Sequence, residues 1–441
     1  MSDTADPTAR PGTGTAPPGG PDRPTSTRRP RIGGVDAARG VALLGMIAAH
    51  ALLEVTDDGA PTANYLIVGG RAAALFAVLA GVAIAFMTGR ARVRPGPDAR
   101  GATATLLTRA AVLLVLGLAL GWTDTGVAAV ILPYYAIMFV LAVPLVLLPT
   151  RALVVLGSAI AVVVPVLSQL VRPGLPTPLL ENPSFAQVVQ DPLGLLSELA
   201  LTGYYPALPW TAYVCAGIVV GRLDLSSVRT AWRLLAGGAL AALVVTGLSW
   251  LVLGPFGGLD RIADATSPDE LSTAPTVAGY VIASPEGTTP TDTWWWLTAV
   301  SPHSASPPDL IATTGSALAV IGAALLLGHA ARRGAGRILN LALVPLAAAG
   351  SMTLTLYTAS ILFMNSPLDT FDPVPGYLLQ VVVALAFGLA WARIIGRGPV
   401  EAVVSRLAHA ARDRARTGAR TAGGSLGRTG GTGRHRSGRR P

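Results

Sequence analysis

The sequence predicts an all-α fold: a polytopic transmembrane helix bundle of about ten helices with both termini in the cytoplasm. Three observations predict it. Only 13% of the 441 residues are charged, 51% are hydrophobic, and the mean hydropathy is +0.54. A soluble domain carries roughly 25% charged residues, so this chain has too little polar surface for an aqueous exterior. Apolar segments of about 20 residues, the length that crosses a bilayer, recur along the chain. Between them, arginine-rich loops alternate with acidic ones, as the positive-inside rule requires of a multi-pass protein.

Taken in order, residues 1–30 are rich in Pro, Gly, Thr and Arg. They lack the apolar core of a signal peptide and read as a disordered cytoplasmic arm. The expected spans are 37–56, 66–88, 104–122, 127–148, 151–171, 203–222, 230–254, 310–330, 340–364 and 375–396. With the N-terminus inside, loop 89–103 is cytoplasmic and holds Arg90, Arg92, Arg94 and Arg100 against Asp98. The next inner turns hold Arg151, then Arg222, Arg229 and Arg233, then Arg332, Arg333 and Arg337. The outer loops hold Asp57 and Asp58, then Asp124, then Glu181, Asp191 and Glu198, and finally Asp369 and Asp372. The longest outer loop, 255–309, carries seven acidic residues, the run Trp294, Trp295 and Trp296, and His303. The Trp run reads either as an interfacial anchor or as a lid or sugar platform. Residues 398–441 form a basic cytoplasmic tail, and 399–417 has the spacing of an amphipathic helix. That helix lies on the inner leaflet or in solvent.

The net charge of +9 comes entirely from arginine, since the chain contains no lysine. Its place in the inner loops and termini explains it without nucleic acid, for which no aromatic-basic module is present. The lone Cys215 excludes an intramolecular disulfide and a cysteine-based metal site. The scattered histidines offer no zinc set, and no phosphate loop or nucleophile elbow occurs, so no metal is expected.

Ionisable groups inside a membrane helix are costly and mark function by default. The first span holds Asp36, Arg39, His50 and Glu54. Arg39 and His50 are eleven residues apart, which puts them within about 20° of one helix face and about 16 Å apart along the axis. Asp36 is placed to pair with Arg39, and Glu54, four residues after His50, to orient its imidazole. A histidine with a carboxylate partner can act as general base, and a buried arginine can hold a phosphate or carboxylate. The span therefore reads either as an anion site facing in and a base facing out, or as snorkelling charges with a structural histidine.

The stretch RIGGVDAARGVALLGMIAAH, Arg31 to His50, resembles the opening of the heparan-alpha-glucosaminide N-acetyltransferase-like membrane proteins. It also fits the Arg–ten residues–His pattern of the acyltransferase-3 superfamily. GGRAAALFAVLAGVAIAF (69–86), ALPWTAYVCAGIVVGRLDL (207–225), SPHSASPPDLIATTGSALAVIGAALLL (301–327) and GSMTLTLYTASILF (350–363) are similar to later motifs of the bacterial branch. The resemblance marks 31–397 as a transmembrane acyltransferase-like domain in a bacterial plasma membrane. It implies transfer of an acetyl or acyl group from cytosolic acyl-CoA, acetyl-CoA above all, to an extracytoplasmic sugar hydroxyl or amine. In the enzyme that names the family, the position matching His50 is an Asn and the catalytic His follows in the next loop. Loop 57–65 here has no His. The role falls to His50, with Glu54, or to His303.

Other polar groups complete the expected site. Arg71 either binds an anionic acceptor or developing oxyanion, or pairs with Glu54. Asp309 stands at the mouth of the eighth span after His303, and Trp210 and Tyr357 present a polar tip that either packs or binds. Arg109 either meets CoA phosphates or snorkels. The expected partners are thus membrane lipids, acyl-CoA and a glycan or small-molecule acceptor. The alternative is a transporter or lipid-handling protein that uses the same charges without group transfer.

Overall fold

The structure, a computed structural model, describes residues 33–332 and 336–426, with 418–426 by backbone alone. The arm 1–30 and the last residues of the tail lie outside the described residues. The chain is all-helical, and among the described residues no strand occurs beyond a single bridge between Val55 and Pro61.

The chain opens with α1 (Gly33–Ala51), α2 (Ala63–Val68) and α3 (Arg71–Met87). Next come α4 (Pro97–Ala119), α5 (Leu132–Leu145) and α6 (Thr150–Val171). Two short helices, α7 (Phe185–Gln190) and α8 (Pro192–Ser197), lead to α9 (Ala207–Arg222) and α10 (Val228–Leu253). The long loop folds into α11 (Gly258–Ala265), α12 (Pro268–Leu271) and α13 (Val277–Ala283). The C-terminal part holds α14 (Pro307–Arg332), α15 (Gly336–Gly350), α16 (Thr353–Met364), α17 (Pro373–Ile394) and α18 (Pro399–Leu426).

Helix occupies each of the ten expected segments, but not each is a full span. Six helices are long and apolar enough to cross a membrane, or seven if the bent pair α15–α16 counts as one. The other three fall short for separate reasons. α5 and α9 have only 14 and 16 residues, and α1 carries Asp36, Arg39 and His50.

Four further expectations change. The first span ends at Ala51, so Glu54 sits in a hairpin beyond the helix; Thr62 closes that hairpin by donating its hydroxyl to Leu53 O at 2.7 Å. The predicted helix 340–364 bends by 80° between α15 and α16. There Glu401 caps the new helix start, accepting from Leu354 N–H at 2.7 Å and Thr355 N–H at 3.1 Å, a tertiary carboxylate doing the work of an N-cap. Segment 399–417 does not stand apart from the bundle: α18 packs along α4 and buries Val404 and Ala408. Loop 255–309 is a folded cap with its own small core of Leu253, Ile262, Val281, Trp296 and Ala299. The Trp run divides accordingly, Trp296 buried in that core and Trp294 exposed.

Packing sets the centre of the bundle. Of the apolar stretch in α3, 67% is buried within the protein, against 11% for α10. α3 crosses α9 where Gly81 and Gly217 meet backbone to backbone; a Cβ on Gly217 would come within 2.0 Å of Val78 O. Small residues let helices approach closely where lipid supplies no hydrophobic drive between them. α1 is held against α15 in the same way, with Gly350 against the Asp36 carbonyl and Gly40 against Leu346. α1 and α3 therefore run through the core and carry polar groups to both ends of the bundle.

Candidate active site

At the acidic end, a cavity of about 420 Å³ opens among the last turn of α1, the hairpin after it, α2, the start of α3 and the loops above them. His50, Glu54 and His303 all line it. It was assembled from distant stretches, and each wall is pinned by a specific bond. Asn64 donates its side-chain amide to Ala48 O at 3.1 Å, holding α2 against the end of α1. Buried Asn182 fixes loop 123–130 with four bonds: it donates to Thr123 O, Thr123 Oγ1 and Ala128 O and accepts from Val130 N–H at 2.7 Å. That satisfies all the capacity a buried amide needs, so the wall is rigid.

The two histidines differ in what they can do. His50 Nε2 is buried and has no hydrogen-bond partner among the described residues. His303 Nε2 accepts from Gly70 N–H at 3.2 Å, which leaves its proton on Nδ1. Burial holds the His303 imidazole down at about 4, so it is neutral at physiological pH. The turn that carries it is strained: His303 and Ala305 have φ of 58° and 49°, in the left-handed region. Asp309, buried at the start of α14, holds that turn by accepting from Ala305 N–H and the Ser304 hydroxyl. Gly70, at φ 66°, sits where a side chain would crowd the His303 backbone at 3.1 Å.

Glu54 stands exposed at the rim and, among the described residues, makes no hydrogen bond to His50. Its carboxyl is raised above the usual range by surrounding protein and then by Glu286, which faces it across the cavity. Glu286, Tyr65, Tyr204 and Tyr205 line the site without having been singled out by sequence. Nothing in their local spacing marks them; the acidic loop around Glu286 was the one available signal.

The remaining expected residues lie elsewhere. Arg71 does not pair with Glu54; it donates to Leu66 O at 2.5 Å and attracts the Asp309 carboxylate electrostatically. Trp210 is buried behind the cavity, edge-on to Tyr205 and Tyr213 at 5.2 and 5.1 Å. Tyr357 is buried and its hydroxyl accepts from Ile131 N–H at 3.3 Å. At the opposite, arginine-rich end, Arg39 is paired with Asp36 at 3.0 Å, as expected, and is only 23% exposed. Arg39 and Arg397 both repel Arg109, whose Nε is buried without a partner. Among the described residues no cluster of three or more His, Cys, Asp or Glu side chains could hold a metal.

The geometry thus joins a free imidazole in a polar cavity to a surplus of guanidinium groups at the far end of the same helix. The sequence model of the family described as heparan-alpha-glucosaminide N-acetyltransferase, catalytic, matches residues 31–253. The chain belongs to this family. No curated protein matches it. Within the family match fall α1 to α10, and with them His50, Glu54, Arg39, Arg71 and Trp210. His303 and Glu286 lie beyond it and enter the cavity from the C-terminal part. Membership and the apolar helices together make this a multi-pass membrane protein of an acetyltransferase family.

Proposed function

We propose that this protein moves an acetyl or other acyl group from cytosolic acyl-CoA to an amine or hydroxyl of an extracytoplasmic sugar or small molecule. One observation carries the reading: His50 offers an unpartnered Nε2 inside a polar cavity, in a chain of an N-acetyltransferase family. The acceptor nitrogen or oxygen attacks the thioester carbonyl carbon while His50 Nε2 takes its proton. The C–S bond breaks, and the imidazolium returns that proton to the departing thiolate. Neutral His303 braces the start of α3 through Gly70, and Glu54 with Glu286 gives the cavity a negative rim suited to an amine.

The donor's phosphates are held at the other end by Arg39 and Arg109, about 16 Å away along α1. In this reading the ten helical segments cross the plasma membrane of a bacterium, with both termini cytoplasmic. Arginine at one end and acid at the other supports that orientation. The test is acetyl-CoA turnover in proteoliposomes with an amino-sugar acceptor outside. Full activity in a His50→Ala, His303→Ala double variant rules the mechanism out. Acceptor movement without acyl-CoA binding establishes the transporter reading in its place.

A further inference from the structure

A second cavity, about 290 Å³, lies at the arginine-rich end between the α3–α4 loop and α18. Four arginines from two elements line it: Arg92 and Arg94 from the loop, Arg412 and Arg416 from the helix. In the loop, Val93 is buried while Arg92 and Arg94 on either side of it are exposed and line the cavity. Arg412 and Arg416 are one helical turn apart and share a face of α18. Their stems pack on Gly101 of α4, at 3.3 Å from where its Cβ would stand.

The loop is braced before any ligand arrives. Val93 N–H donates to Val146 O at 3.0 Å, and Arg92 Nε donates to Leu147 O at 2.7 Å. Arg90 donates to Gly221 O and Leu223 O and lies over the Phe86 ring at 5.0 Å. Against the four cations stands one carboxylate, Asp98, which Arg416 engages. Among the described residues Arg92 and Arg94 make no ion pair with a carboxylate, and Arg412 acts on Asp98 only electrostatically, without a close ion pair. The cavity therefore holds an excess of three positive charges on a preformed frame.

We infer that this cavity binds a phosphate group, carried by an anionic lipid or by a soluble organic phosphate. Paired guanidinium forks match phosphate oxygens, and the surplus charge suits a dianion better than a carboxylate. Asp98 competes with the ligand for Arg416. The site does not depend on the proposed acyl transfer, and its test uses no turnover.

The experiment takes the full chain in nanodiscs of zwitterionic lipid and reads thermal stability against two probes, dioctanoyl phosphatidic acid and inorganic pyrophosphate. Dioctanoylglycerol is the uncharged control. A saturable rise with a probe is expected, weakened about tenfold or more in Arg94→Gln, Arg412→Gln. Asp98→Asn is expected to tighten it severalfold. A rise with the lipid alone assigns a lipid source, and a rise with pyrophosphate assigns a soluble one. Arg94→Gln alone serves if the double variant does not fold, since Arg94 is exposed. No rise with either probe, or a rise that both sets of variants leave unchanged, overturns the inference.

Discussion

At the acidic end of the bundle, stretches of chain from α1 to the loop before α14 converge on two half-buried histidines. At the arginine-rich end, one braced loop and one helix converge on four cations. The difference lies in solvent. Burial strips charge from the His303 imidazole, whereas Arg92 and Arg94 stand exposed. Distant segments built the first site, so each residue there depends on bonds made far away in sequence. The second needs only two elements, a short loop and one face of α18, though these too are far apart in sequence.

Replacing the free imidazole breaks this comparison most directly. His50→Ala should lower kcat for acetyl-CoA turnover by roughly 10²–10⁴-fold, the usual worth of a general base, with little change in KM for the donor. At the other end of α1, Arg39→Leu should raise the KM for acetyl-CoA about tenfold or more while kcat holds, because it removes a charge-assisted contact rather than the base. Equal effects on both constants in the two variants would erase the distinction between a chemical end and a binding end.

Packing and pH give smaller effects. Gly217→Val forces a side chain into the α3–α9 contact and should cost about 1–3 kcal/mol, seen as a lower Tm in detergent. His303 is neutral when folded, with its titration moved down to about 4 from 6.5. Below pH 6.5 the unfolded chain binds a proton that the folded chain refuses. Stability should therefore be undiminished above that pH and fall as pH drops from 6.5 towards 4. His303→Gln should flatten that slope in thermal-shift curves. Smallest of all, Glu401→Ala leaves the start of α16 uncapped and should cost about 1 kcal/mol. Faster proteolysis within α18 would register it.

Local composition determined much of this protein. Hydropathy and charge alternation marked every segment that became a core helix, and the 11-residue spacing put Arg39 and His50 at opposite ends of one continuous α1. The Asp36–Arg39 pair was equally legible, because three residues along a helix is a fixed distance. These are short-range properties that the helix repeat alone dictates.

Tertiary contacts decided the rest. No local signal ends α1 at Ala51 or bends the chain before α16, where a carboxylate from Glu401, some fifty residues on, satisfies the exposed N–H groups. Glu286 and Tyr205 reach the cavity, and Asn182 its wall, only because the folded cap and neighbouring loops close over it. Periodicity reports which side of a helix is buried, but it carries no information about which distant group will be buried against it. A pairing of that kind exists only once the chain has folded.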